Sequence, residues 1–149
     1  MLASDGDIVR GLGFVALYAA YLEEQIENLR LMLAAIEQVA ERETMWPISR
    51  RIDKVKEIAG LVDFETRDEL LANLDFAKEL FERRNEVVHG RIYGGFDRDQ
   101  TLKSGRPNVP DRPIAADELY DLANQFAALQ GEIYRPMIFK IPRALANRA

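Results

Sequence analysis

The chain has 149 residues, 48% hydrophobic and 30% charged, a length and balance that fit one globular domain and exclude a disordered polymer. It holds no cysteine, which excludes disulfides, thiolate nucleophiles and cysteine-held metals. A formal net charge of −5 and a pI near 5.0 argue against a freestanding nucleic-acid binder, yet leave room for a local grip on a few phosphates.

The first residues, Met1-Leu2-Ala3-Ser4-Asp5-Gly6-Asp7, lack the basic and apolar runs of a signal peptide. Glu23, Glu24 and Glu27 interrupt the first long apolar segment, so no membrane span is expected and a cytoplasmic location is the default. Apolar residues recur at Ile8, Leu12, Val15, Ala19, Leu22, Ile26, Leu29, Leu33, Ile36 and Ala40, alternating steps of four and three. That heptad seam predicts one continuous helix over 8–43, about 54 Å long at 1.5 Å per residue. Ser4, Asp5 or Asp7 can cap its start, and Trp46-Pro47 closes the segment after it. A second face carries Val9, Phe14, Leu17, Tyr18, Tyr21 and Met32. A helix longer than any partner, apolar on two sides, implies a homodimer.

A short helix is expected over Ile48–Ala59, with Ile48, Ile52, Val55 and Ile58 inward and Gly60 after it. Arg50, Arg51, Lys54 and Lys56 on the same segment read as solvated surface, and Trp46 as a core plug at the corner. A third helix opens at Asp63 or at Thr66-Arg67-Asp68-Glu69, which has capping-box spacing. The carboxylates Asp63, Glu65, Asp68 and Glu69 there complement the helix dipole and lack metal-ligand spacing. Its seam runs Leu70, Leu74, Ala77, Phe81, Arg84 and Val88, so an arginine stands where the pattern asks for an apolar side chain. Gly90 ends this helix.

The stretch 91–113 is rich in glycine and proline without helical period, and reads as a long loop or short hairpin in which Gly94-Gly95 makes a turn. With no following helix and lysine, that glycine pair is no nucleotide-binding loop, and no cofactor is expected. A fourth helix follows from Ala115 or Ala116 to Tyr134, with Leu119, Leu122, Phe126, Leu129 and Ile133 inward and Arg135-Pro136 as its stop. The expected fold is all-α: an antiparallel four-helix bundle over residues 1–136, with one long first helix, one short second helix and the loop 91–113. Residues 137–149 form a C-terminal tail, apolar and then basic.

Chemistry concentrates at Arg84-Asn85-Glu86-Val87-Val88-His89. Residues four apart share a helical face, so Asn85 and His89 are neighbours, and the long side chain of Arg84 reaches the same end. His89 is the only imidazole in the chain, and histidine can both give and take a proton near neutrality. Arginine presents a permanently charged fork of donors suited to a phosphate. A helix C-terminus favours a protonated imidazole, as a general acid requires. This set of groups suits phosphoryl transfer or RNA cleavage.

At these residues the chain resembles the HEPN superfamily, helical bundles carrying Arg-Asn-x-x-x-His or, more loosely, Arg-x(4–6)-His toward the end of one long helix. The likeness in layout extends over about residues 8–135. It implies a metal-independent endoribonuclease, often the toxin of a toxin–antitoxin pair or part of a defence system, whose homodimer gathers two motifs in one cleft. It implies His89 as proton-transfer residue, Arg84 as stabiliser of the scissile phosphate and Asn85 as a polar orienting residue. The implied reaction is attack of a ribose 2′-hydroxyl on the adjacent phosphate, leaving a cyclic phosphate end. The implied partners are an RNA substrate, a second copy and an antitoxin or other protein. Some members carry a tyrosine two places after the histidine; here that place is Arg91, and the next tyrosine is Tyr93. The alternative is a catalytically silent bundle, a protein- or nucleotide-binding or dimerisation module in which Arg84, Asn85 and His89 bond to one another and pin the following loop.

Overall fold

The computed structural model describes residues 1–94 and 100–148. Helix α1 (Ile8–Met32) starts where the Asp7 carboxylate accepts from the backbone N–H groups of Val9 and Arg10, both at 3.0 Å. α2 (Ile48–Ala59), α3 (Arg67–His89) and α4 (Ala116–Ile138) complete the bundle, and α5 (Lys140–Arg148) closes one end. α1 packs chiefly on α4, while α3 lies between α4 and α2. The architecture is a helical bundle, as the periodicity requires, with one small sheet added.

The core follows the seams closely. Val15, Ala19, Leu22, Ile26, Leu29 and Leu33 of the first seam are buried, as are Ile48, Ile52, Val55 and Ile58 of α2 and Leu119, Leu122, Phe126, Leu129 and Ile133 of α4. Phe81 and Phe126 meet across the α3–α4 contact with ring centroids 5.4 Å apart.

Three expectations are corrected. The single helix over 8–43 instead ends at Met32, and two short 3-10 turns, Leu33–Ala35 and Glu41–Met45, carry the chain back toward α2. The cause is a side chain that periodicity ignores. Arg30, only 1% exposed, donates to Glu27 at 2.9 Å and to Glu43 at 3.3 Å, and Glu43 also accepts from the Ala40 N–H at 3.1 Å. A buried guanidinium needs carboxylate partners, and the second is reached only if the chain folds back. α1 is thereby shortened to about 37 Å, so it no longer outruns its neighbours.

The second correction concerns the C-terminus. Arg135-Pro136 does not stop α4, which runs through Pro136 to Ile138, and residues 140–148 of the C-terminal tail form α5. Burying Met137 and Ile141 contributes about 1.5–3 kcal/mol each, which offsets the roughly 3 kcal/mol of a proline inside a helix.

The third concerns the stretch after Gly90, where the short hairpin allowed by the sequence is present but gains a third strand. Within it lie β1 (Arg91–Tyr93), β2 (Gln100–Lys103) and β3 (Arg112–Ile114), an antiparallel meander pairing Ile92 with Leu102 and Leu102 with Arg112. Pro113 is tolerated because β3 is an edge strand. Leu102 and Ile114 point into the core. Gly90 permits the docking: a Cβ there would lie 2.6 Å from Leu102 Cδ1 and 2.7 Å from the Glu86 carbonyl oxygen. Gly94 follows β1, while Gly95, the other half of the expected turn, lies outside the described residues.

Candidate functional site

The last two turns of α3 position the sequence-predicted residues. The buried stripe runs Leu74, Ala77, Leu80, Phe81 and then Val87, so it passes beside Arg84 and leaves Val88 exposed. The expected seam of Arg84 and Val88 is therefore displaced by one position at its end. Arg84 is half-buried. Its guanidinium lies over the Phe81 ring at 5.2 Å from the centroid, and its Nε donates to Asn85 Oδ1 at 2.9 Å. Asn85 is half-buried and His89, in the final turn, is exposed.

A groove of about 570 Å³ runs along this end of α3. Its helical wall consists of Glu79, Glu82, Arg83, Asn85, Glu86 and His89, and its other wall of Ser104, Arg106 and Val109 from the β2–β3 connection. The structure thus brings Asn85 and His89 to one groove but leaves Arg84 outside its lining. Sequence reasoning missed Arg83 and Arg106. The signal for Arg83 was its helical face, shared with Glu79 and Glu86; Arg106 had none, because only the strand pairing brings its turn to α3.

The groove is mixed in charge. Glu86, inside the motif, is neutralised by Arg112 of β3, whose Nε lies 2.5 Å from Glu86 Oε1 and whose Nη1 lies 2.8 Å from Glu118 Oε1. Hydrogen bonds to Glu118 and then Glu86 raise the Arg112 pKa above its ordinary value, so the guanidinium stays charged. Arg83 donates to Gln125 of α4 at 3.2 Å. Glu79 and Glu82 are exposed at the end of the groove farther from His89 along the helix.

On the other flank of α3, Val88 faces an apolar groove of about 530 Å³ formed with Val9, Leu12, Gly13 and Ala16 of α1 and Ile92 of β1. Val9, Leu17 and Tyr21 are exposed, while Phe14 is partly covered and packs edge-on against Tyr120 of α4, with centroids 5.6 Å apart.

The basic stretch of α2 is not free surface. Arg51 pairs with Glu23 and Glu27, Lys54 with Glu37 and Lys56 with Asp75, which ties α2 to its neighbours. Trp46 is half-buried under Arg50, whose guanidinium lies 3.8 Å from the ring centroid, so it is a lidded corner rather than a core plug. Among the described residues no group of three or more His, Asp or Glu side chains is placed to hold a metal ion, and no helix is long and apolar enough to cross a membrane.

No protein-family model matches the chain, and comparison with curated proteins and with solved structures returns no match.

Proposed function

We propose that the protein is a HEPN-type, metal-independent endoribonuclease acting as a homodimer. The observation that carries this reading is that Asn85 and His89 line one open groove at the end of a long bundle helix, with Arg84 joined to Asn85 beside them. In the proposed reaction the ribose O2′ attacks the neighbouring phosphorus and loses its proton, and the P–O5′ bond breaks as the departing oxygen gains one. The products are a 2′,3′-cyclic phosphate and a 5′-hydroxyl. His89 is the proton-transfer residue and is reachable by substrate because it is exposed. Arg84 stabilises charge on the phosphate, aimed by its Asn85 contact. The exposed apolar groove of Val9, Gly13, Ala16 and Val88, the last within the motif itself, supplies the dimer face.

The test is cleavage of single-stranded RNA by purified protein in EDTA. Cyclic-phosphate ends are expected, and His89→Ala should lower the rate by about 10²–10⁴-fold. Sedimentation should give a dimer at micromolar protein. Failure of every preparation to cut RNA overturns the reading.

One observation favours the second reading, a catalytically silent bundle in a stress or defence setting that binds a partner protein or nucleotide. Arg84 is engaged with Phe81 and Asn85 and does not line the groove, as a structural role would require. An Arg84→Ala protein that melts far earlier than wild type, with no cleavage by either, would establish it.

A further inference from the structure

We propose that Arg106, on the β2–β3 connection, is the phosphate-binding cation of the groove and holds an RNA phosphate next to the one that is cut; this rests on the endoribonuclease reading. The groove lining contains two arginines, Arg83 and Arg106, and not Arg84. Arg83 is occupied with Gln125. Among the described residues the Arg106 guanidinium makes no hydrogen bond or ion pair, and its residue is exposed. A guanidinium with no partner in the protein offers its fork of donors to an anion from solution.

The turn that carries it is specified by the sequence. Gly105 (φ +69°) and Asn108 (φ +67°) flank Arg106-Pro107 in the left-handed region, where glycine and asparagine are the favoured residues. The Ser104 hydroxyl accepts from the Arg106 N–H at 2.9 Å. The strands on either side of this turn are fixed to the motif helix, β3 by the Arg112–Glu86 pair and β2 by the seat of Leu102 on Gly90. Arg106 and His89 thus belong to one framework although they lie 17 positions apart in the sequence. Charge sets the orientation of the strand. Glu79 and Glu82 repel phosphates from the far end, so the RNA backbone is held between Arg106 and His89 and a base extends toward the carboxylates.

The experiment measures binding of a fluorescein-labelled single-stranded RNA by anisotropy over a series of KCl concentrations. His89→Ala serves as background so that the RNA stays uncut. Arg106→Ala should weaken binding about ten- to a hundredfold at low salt and make the slope of log K against log salt shallower by about 0.7, the share of one phosphate contact on a single strand. Arg106→Lys should keep the slope, and Arg135→Ala, in the last turn of α4 beside Thr66 and Glu69, should leave both unchanged. In the cleaving enzyme Arg106→Ala should raise KM with little change in kcat. An unchanged slope and KM, with RNA still cut, overturns the role of Arg106 and leaves the endoribonuclease reading intact. A fall in kcat at constant KM also overturns it. Wild-type protein that neither binds nor cuts RNA removes both.

Discussion

Arg84 and Asn85 are consecutive in sequence and bonded through their side chains, Nε to Oδ1 at 2.9 Å. Adjacent helical residues point 100° apart, so such a contact forms only because the long arginine bends back over Phe81. Asn85 thereby sets the aim of the guanidinium. Asn85→Ala should lower RNA cleavage about tenfold, against about 10²–10⁴-fold for Arg84→Ala or His89→Ala. A loss as severe as that of His89→Ala would mean that Asn85 touches the substrate itself. Thermal melts should separate the roles, because Arg84→Ala forfeits a cation–π contact of about 0.5–1 kcal/mol and the Asn85 hydrogen bond of about 0.5–1.5 kcal/mol, a modest loss beside that expected in rate.

Arg30 is the most buried charge in the described chain, and it ties α1 to the second 3-10 turn, Glu41–Met45. Arg30→Ala leaves Glu43 buried without its cation and should cost about 3–5 kcal/mol in urea unfolding. Glu43→Gln keeps an acceptor for the Ala40 N–H and should cost less. A loss under about 1 kcal/mol for Arg30→Ala would mean that water reaches the pair.

Gly90→Ala tests the seat of the sheet. The added methyl would meet Leu102 Cδ1 at 2.6 Å and the Glu86 carbonyl oxygen at 2.7 Å, and the backbone oxygen gives little. Overpacking of this kind costs about 1–3 kcal/mol. Hydrogen exchange should quicken at Leu102 and Ile114 while α1 and α4 stay protected. Unchanged exchange in β2 would show that the sheet is not held there.

Arg112 should behave differently. Its pairs with Glu86 and Glu118 are about one-third exposed, so Arg112→Ala should cost no more than about 1 kcal/mol. Cleavage should suffer more than stability, because Glu86 regains a free charge in the groove. Equal activity of Arg112→Ala and wild type would rule that out.

The N-terminal strap gives the pH dependence. Leu2 N–H donates to Asn124 Oδ1 at 2.8 Å, Asn124 Nδ2 donates back to the Leu2 carbonyl at 2.9 Å, and the Tyr120 hydroxyl donates to Asp5 at 2.8 Å. The Asp7 backbone N–H, followed by Tyr120, lowers the Asp5 pKa. A lowered folded value means that Asp5 contributes stability above its ordinary pKa of about 3.9 and loses it as pH falls through the folded value. Burial, then the Asp5 contact, raises the Tyr120 pKa, so its contribution is present below about 10 and is lost as pH rises beyond. Asp5→Asn should flatten the acid limb of melting temperature against pH, and Tyr120→Phe the alkaline limb. Unaltered limbs in both variants would show that the strap is not coupled to folding.

The sequence by itself determined the helices and their inward faces. Periods of 3.6 and 3.5 residues over long stretches have one low-energy solution, and Ile48–Ala59 forms as its pattern demands. It also determined that Arg84, Asn85 and His89 stand together at the end of one helix, because spacing along one helix is local information. Tertiary structure alone decided where α1 stops, since Arg30 needs Glu43 from beyond the break. It decided that α4 runs through Pro136, because Met137 and Ile141 gain burial on other helices. Above all it decided that Arg106 lines the same groove as His89. Arg106 comes to α3 only through the pairing of β2 with β3 and the seat of Leu102 on Gly90, and those long-range contacts leave no period in the sequence for a local pattern to report.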